Sequence, residues 1–385
     1  MAKIFRIIFY VLLTLVTVQC FSRSVRADLD FGVFYGVANL VLTGDFLRIY
    51  DISAIQNYAR FPFLYPPSSA LILSPLALFS FETSKILWSL LNALLVPIFF
   101  WLSWKLAKDF NAKAGYGVML LVLVLTLDPL TLNAVQGNVN MVVFFLGVLS
   151  VFLAHRNQSI LSATSLSVAF CLKLTPLAFI LPLIVWRRWK TLAFFSAFSF
   201  VLFVLFPILI FGSEVFVTLL RQWNSSLLDN PFVSYAKYTN QSPLAIARKI
   251  GLSPLLLISI SFVLIAAFMH HAWRFKSAYA SFVASTVAIL GLPAIVWMEY
   301  HFLLIPWLIV IFSRLKDQPP SNRKLWMIGS IGMKILLANI LVQSLVGREI
   351  ALKSLDHGSV YFALVFLSIG TLILIKGKDC RSSLH

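Results

Sequence analysis

Long apolar stretches alternate with short polar ones along the whole chain. Stretches of about 20 apolar residues, the length of a helix that crosses a bilayer, recur from one end to the other. The pattern predicts an all-α polytopic membrane protein in which residues 1–385 form one membrane domain. The twelve expected spans are 4–21, 85–104, 115–134, 139–154, 159–172, 174–186, 191–211, 254–272, 278–296, 301–313, 325–345 and 359–375.

Composition supports a membrane protein and argues against two other classes. The chain is 60% hydrophobic and 12% charged, whereas soluble domains carry about 25% charged residues. The net charge of +17 would suit nucleic acid, but the basic residues lie in short turns between spans and not among aromatics in a soluble segment. Cys20, Cys171 and Cys380 are far apart, so we expect no disulfide framework, no metal cluster and no cofactor.

The placement of the charges predicts the topology. Cytoplasmic turns carry an excess of Lys and Arg, and twelve spans with both termini cytoplasmic place 18 of the 31 basic residues inside, but only Asp109, Asp317 and Asp379 among the acids. Two long loops, 22–84 and 212–253, then lie on the extracytoplasmic side. Lys3 and Arg6 before an apolar segment also resemble a signal peptide. We interpret that segment as an uncleaved first span because many spans follow.

Two apolar segments of the first outer loop are too short to cross the membrane. Residues 33–41 carry an apolar stripe at helical spacing, which is typical of a helix lying in the membrane interface. Residues 66–80 are interrupted by Pro75, and counting them as a span would invert every later turn. We therefore predict a re-entrant or half-depth helix there.

Polar residues that could carry chemistry fall at outer ends of spans. Asp30, just beyond the first span, is placed to take a proton from a substrate hydroxyl, although an isolated loop acid is more often only solvated. Lys173 lies between two apolar segments, where a bare ammonium costs several kcal/mol. It either binds an anionic phosphate in a polar cavity or reaches towards the membrane surface as a snorkelling lysine.

Two further polar groups complete the candidate site. Gln136, Asn138 and Asn140 offer uncharged donors and acceptors that suit sugar hydroxyls, or they serve only as caps and turn residues around a glycine. Glu299 and His301 form a possible acid/base or phosphate-contacting pair at an outer span end. Lys334, in the middle of span 325–345, has no predicted partner and is left outside the site.

Several motifs, in this order, resemble glycosyltransferase family 87 over about residues 28–310. They are Asp30-Phe31, Gly44 with Tyr50-Asp51, Tyr65-Pro66-Pro67, Gln136-Gly137-Asn138-Val139-Asn140, Lys173-Leu174-Thr175-Pro176, Trp186-Arg187-Arg188-Trp189 and Asn240-Gln241-Ser242. The chain departs from the family in the exchange of Gln and Gly at 136–137 and in a single His301 where paired histidines are common.

The resemblance implies a bundle of GT-C architecture that takes a hexose, with mannose as the expected sugar, from a polyprenyl phosphate. The expected partners are that lipid donor, a glycolipid or glycan acceptor and the bilayer. Asp30 would be the base of an inverting transfer, and Lys173 and His301 would bind the donor phosphate. The expected sugar and acceptor contacts are Tyr65, Gln136, Asn138, Asn140, Asn240, Gln241 and Glu299. A transporter or flippase is the alternative, but the paired halves with matching broken helices expected of such a protein are not evident.

The topology predicts which engineered cysteines an impermeant thiol reagent reaches in intact cells. Ser53→Cys and Ser226→Cys lie in the outer loops and should react, whereas Ser321→Cys lies in a cytoplasmic turn and should not. Labelling of Ser321→Cys alone would invert the topology and contradict an extracytoplasmic active site.

Overall fold

The computed structural model describes residues 2–26, 29–228, 240–315 and 359–375, and these residues form helices without any β-strand. Predicted span 325–345 with Lys334 and the C-terminal residues after 375 lie outside the described residues. The helices are α1 (Ala2–Arg26), α2 (Leu29–Thr43), α3 (Pro67–Leu78), α4 (Phe81–Asp109), α5 (Tyr116–Leu125), α6 (Leu127–Gln136), α7 (Asn140–His155), α8 (Ser159–Leu172), α9 (Thr175–Val185), α10 (Trp189–Phe211), α11 (Ser213–Leu228), α12 (Pro243–Ile250), α13 (Pro254–Phe275), α14 (Ala278–Gly291), α15 (Ile305–Arg314) and α16 (Ser359–Ile375).

Four of these helices, α1, α4, α10 and α13, are long and apolar enough to cross a membrane by themselves. Predicted span 115–134 is broken into α5 and α6, which meet at a bend of 52° and together would make a fifth. The multi-pass class is therefore confirmed. The number of twelve spans and the GT-C arrangement stay predictions.

Several apolar helices are shorter than a full span and meet in pairs at polar junctions. α6 and α7 meet at residues 137–139, α8 and α9 meet at Lys173, and α14 and α15 are joined by residues 292–304. Predicted span 278–296 thus ends earlier than expected, at Gly291, two residues before Pro293. Pro293 lacks the backbone N–H that would continue the helical hydrogen bonding, which accounts for the early end.

The basic turns gather at one end of the bundle. Arg156 forms an ion pair with Asp109 at 3.3 Å, and the Arg188 guanidinium donates to the Asn157 side chain. The Arg314 guanidinium donates to the Phe110 carbonyl at 3.3 Å. Four separate turns therefore lie at the same end, as the charge distribution predicts.

Helix α2 places Asp30 at the opposite end of α1. It packs closely on residues 52–59, since a Cβ on Gly32 would lie 2.1 Å from the Tyr58 carbonyl oxygen and one on Gly36 would lie 2.8 Å from Ile55 Cβ. This small-xxx-small spacing allows such a close approach. The predicted apolar stripe at 33–41 is helical but buried inside the protein. Its location in the membrane interface stays a prediction.

Helix α3 forms where a half-depth helix is predicted. Its twelve residues rise about 18 Å, well short of a bilayer core. Pro67 occupies its first turn, where the missing N–H is not needed. Its depth in the membrane stays a prediction.

Candidate active site

A cavity of about 710 Å³ opens where the helix junctions meet α2. One part of its wall is polar, formed by Asp30, Tyr65, Gln136, Asn138, Lys173, Thr175, Glu299 and Tyr300. The remainder is mostly apolar, formed by Leu29, Val33, Phe34, Phe61, Pro62, Leu64, Pro66, Leu174, Trp223, Leu227, Leu228, Leu244, Pro293, Ala294, Ile295 and Trp297. The cavity therefore offers charge and hydrogen bonds beside a long hydrophobic surface.

Asp30 is held by the junction between α6 and α7. The Asn138 amide donates to the Asp30 carboxylate, while its carbonyl oxygen accepts from the Asn140 backbone N–H at 3.1 Å and the Tyr65 hydroxyl at 3.4 Å. With both ends of the amide engaged, the carboxylate is fixed at the cavity wall.

Gly137 makes that contact possible. It ends α6 in the left-handed conformation at φ +63°, and a Cβ there would lie 3.2 Å from Phe31 Cβ. The Trp88 indole N–H donates to the Gly137 carbonyl at 2.8 Å. A glycine turn fixed by a tryptophan thus lets the Asp30-Phe31 segment lie against Asn138.

Lys173 projects into a polar environment, as expected for a lysine between apolar segments. Its ammonium donates to the Asn140 side-chain oxygen at 2.7 Å and to the Tyr300 hydroxyl. The same ammonium lies 4.4 Å from the Tyr300 ring centre and 5.4 Å from that of Tyr65. Lys173 lines the cavity, which favours the site interpretation over a snorkelling lysine.

Two serines at the start of α3 hold the helix end that carries Lys173. The Ser68 hydroxyl donates to the Cys171 carbonyl at 2.9 Å, and the Ser69 hydroxyl lies 3.0 Å from the carbonyls of Cys171 and Leu172. The last carbonyls of a helix have no partner within it. α3 supplies that partner from the outer loop and so positions Lys173.

The two carboxyl groups of the cavity differ in their pKa. Asp30, in the outer loop beyond α1, has its pKa raised to about 6 by burial, although the Asn138 hydrogen bond and the Lys173 charge oppose the rise. Burial raises the pKa of Glu299, in the connection between α14 and α15, to about 8. Asp30 is therefore the more acidic of the two carboxyl groups.

Asn240 and Gln241 do not line the cavity but form hydrogen bonds to a segment of its wall. The Asn240 side-chain oxygen accepts from the backbone N–H of Val296 at 3.1 Å, and the Gln241 backbone N–H donates to the Val296 carbonyl at 2.7 Å. Asn240 also pairs with Trp297 in an antiparallel bridge. The motif thus connects the second outer loop to the segment that carries Glu299.

The other predicted residues divide between the cavity and its surroundings. Tyr65, Gln136 and Asn138 line it, whereas Asn140 is fully buried behind it and reaches it through Lys173. His301 is not brought to the cavity. Its ring is 1% exposed, and its Nδ1 lies 3.1 Å from the Met298 carbonyl oxygen.

Sequence reasoning missed Tyr300, Ser68 and Ser69. Tyr300 stands between the two residues singled out at 299 and 301, but nothing in the sequence indicates its contact with Lys173. A signal existed for the serines, because they directly follow the two prolines of Tyr65-Pro66-Pro67, at a predicted helix start. Trp223, whose indole N–H donates to the Leu64 carbonyl at 3.1 Å, was also missed.

The helical bundle and its polar cavity are those of a membrane protein with a preformed binding site. Comparison with protein families identifies the class of this membrane protein. The model of glycosyltransferase family 87 matches residues 63–298, more than half of the chain. The chain belongs to this family and is a membrane glycosyltransferase. Neither the curated proteins nor the solved structures contain a match. Glu299 and His301 lie just after the matched residues, and Asp30 lies 33 residues before them.

Removing the Ser69 hydroxyl should lower the affinity of the cavity for an anionic substrate without unfolding the protein. Ser69→Ala leaves two carbonyls at the end of α8 with fewer partners, a loss of about 1–3 kcal/mol, and lets Lys173 move. The expected result is a raised KM for the glycosyl donor, restored in part by Ser69→Thr.

Ser165→Ala is the matched control, because this exposed serine of α8 also donates to a backbone carbonyl, that of Leu161 at 2.8 Å. An unchanged donor KM in Ser69→Ala would show that α3 does not position Lys173.

Proposed function

We propose that the protein transfers a hexose, with mannose as the expected sugar, from a polyprenyl-phosphate donor to a hydroxyl of a glycolipid or glycan acceptor. The observation that carries the proposal is a cavity that joins an ionisable polar wall to an extended apolar one. A polyprenyl-phosphate sugar has the same division between a polar head and a hydrocarbon chain.

The division of the cavity wall supports one orientation of the donor. The isoprenoid chain would lie along the apolar wall, which includes Phe61, Trp223 and Leu228. The phosphate would then meet Lys173, whose ammonium is already oriented by Asn140 and Tyr300. Charge-assisted bonds of this kind are about twice as strong as neutral ones.

Asp30 and Lys173 would divide the chemistry between them. Asp30 accepts the proton of the acceptor hydroxyl as its oxygen attacks the anomeric carbon, and the bond from that carbon to the phosphate oxygen breaks. The electron pair stays on the released polyprenyl phosphate, whose charge Lys173 stabilises. A single displacement inverts the anomeric carbon, and a phosphate leaving group needs no general acid.

The pKa order of the two carboxyl groups supports Asp30 as the base. A base must be deprotonated at the working pH, and Asp30 has the lower pKa of the two. Glu299 in its neutral form can donate a hydrogen bond to a sugar or acceptor hydroxyl. Gln136 and Tyr65 offer further hydrogen bonds in the same wall.

The proposed location is the cell membrane, with the basic turns in the cytoplasm and the cavity facing the extracytoplasmic side. The support is the position of the cavity at the end of α1 that lies opposite the basic turns. Membership of the glycosyltransferase family favours transfer over the alternative of a transporter or flippase.

Purified protein should transfer labelled mannose from polyprenyl phosphate to an acceptor in a membrane extract, and Asp30→Asn should slow it at least about 10²-fold. The substitution keeps the shape of the side chain and removes its basicity. The measurement is radiolabel incorporated per unit protein, followed by identification of the labelled product.

Asp45→Asn is the matched control, since Asp45 is an exposed acid of the same loop that pairs with Arg48 at 3.3 Å. Near-normal turnover of Asp30→Asn with an inactive Asp28→Asn would move the base to Asp28. Absence of transfer from any polyprenyl-phosphate hexose would contradict the proposed donor class.

The rate should fall on acidification through the pKa of Asp30. Because that pKa is raised to about 6, the rate should be highest near pH 7 and fall about tenfold per unit below pH 6. Asn138→Ala removes a hydrogen bond that lowers this pKa, so its inflection should move to higher pH. An inflection near pH 4 in both proteins would contradict a buried Asp30 as the base.

A further inference from the structure

A second cavity, of about 370 Å³, lies between α1, α4 and α5. Its lining is largely aromatic, with Phe9 and Tyr10 from α1, Phe100, Trp101 and Trp104 from α4 and Tyr116 from α5. The Tyr10 and Tyr116 hydroxyls lie 3.3 Å apart, and the Phe9 ring centre is 6.1 Å from that of Phe100. These contacts define a groove on the side of the bundle that is open among the residues the structure describes.

The groove is separate from the active site. α1 and α4 run antiparallel, since Ser24 bonds to Ser89 at 2.8 Å while Phe9 contacts Phe100. Tyr10 is therefore about 24 Å along α1 from Arg26, after which the chain leads to Asp30. The groove lies at the end of the bundle that carries the basic turns.

Positive charge borders the groove at one end. The Lys108 ammonium lies 3.6 Å from the Trp104 ring centre, and the Lys105 ammonium lies 5.6 Å from Trp101 and 5.9 Å from Trp104. Arg6 lies one turn before Tyr10, on the same face of α1. The acid nearest in sequence, Asp109, is paired with Arg156 at 3.3 Å.

Tryptophan and tyrosine beside lysine mark the level of the lipid headgroups. Aromatic residues with a polar edge are enriched at membrane interfaces, and Trp101 and Tyr10 are 52% and 51% exposed. The aliphatic stems of lysine let the ammonium reach the headgroup region. Below this level the groove presents hydrocarbon-lined surface from Leu13, Val18 and Pro97.

We propose that this groove binds one anionic glycerophospholipid, with an acyl chain between α1, α4 and α5 and the phosphate beside Lys105, Lys108 and Arg6. The occupant must carry both a negative charge for the basic residues and a hydrocarbon chain for the apolar part of the groove. A free phosphate lacks the chain, and a neutral lipid lacks the charge. Basic pockets between helices on this side of a membrane are suited to such headgroups. The lipid would attach α1 to the bundle through a face that the described residues leave open.

The test measures binding of phosphatidylglycerol to the purified full-length protein by native mass spectrometry, with phosphatidylcholine as the competing lipid. The expected result is one tightly bound phosphatidylglycerol and a raised melting temperature. Lys105→Gln with Lys108→Gln should weaken binding about tenfold or more, because each basic residue near the headgroups contributes about 1 kcal/mol. Thr14→Trp, which fills the groove, should abolish the site and keep the charges.

Lys190→Gln with Arg274→Gln is the matched control, since it removes two charges from the same end of the bundle at positions away from the groove. Equal loss in the control and in the Lys105/Lys108 variant would reduce the effect to surface charge and overturn the proposal. So would equal binding of phosphatidylcholine, or undiminished binding by Thr14→Trp. Binding of polyprenyl phosphate in place of phosphatidylglycerol would overturn the choice of occupant.

Discussion

The site depends on the requirement that polar groups at membrane depth find their partners inside the protein. Each break between short helices exposes such groups, and the structure brings the breaks together so that they satisfy one another. Asn138 bonds to Asp30, Asn140 bonds to Lys173, and Lys173 bonds to Tyr300. The polar wall of the cavity is thus a direct consequence of interrupted helices.

The outer loops supply further hydrogen bonds to the polar junctions between the short helices. α3 supplies hydroxyls to the end of α8, and the Asn240 segment fastens the strand-like residues before Glu299. The α3 segment and the Asn240 segment do not carry Lys173 or Glu299, but each bonds to the backbone beside one of them. The Asn240-Gln241 motif, which the sequence suggests as a substrate contact, therefore also bonds two segments of the backbone together. A membrane enzyme cannot rely on water to satisfy such backbone groups, which is why loops and helix ends pair so closely.

The two ends of the bundle are chemically different. One end holds the amphipathic cavity with its carboxylates and lysine, and the other holds basic turns bordered by tryptophan and tyrosine. This segregation suits a glycosyltransferase whose donor is a lipid, because its reaction takes place at one surface while the opposite surface anchors the protein. Membership of glycosyltransferase family 87 agrees with this division.

The sequence by itself determined the helical membrane class, the family and six of the eight residues in the polar wall of the cavity, because apolar length and isolated polar residues are strong signals in a bilayer. It predicted that Lys173 needs a polar cavity, and the structure provides one. Only the tertiary structure decided that span 115–134 bends and that Tyr300 contacts Lys173 while His301 stays away. The contact of Lys173 with Tyr300 joins segments more than a hundred residues apart, and local pattern carries no information about which distant partner a residue meets.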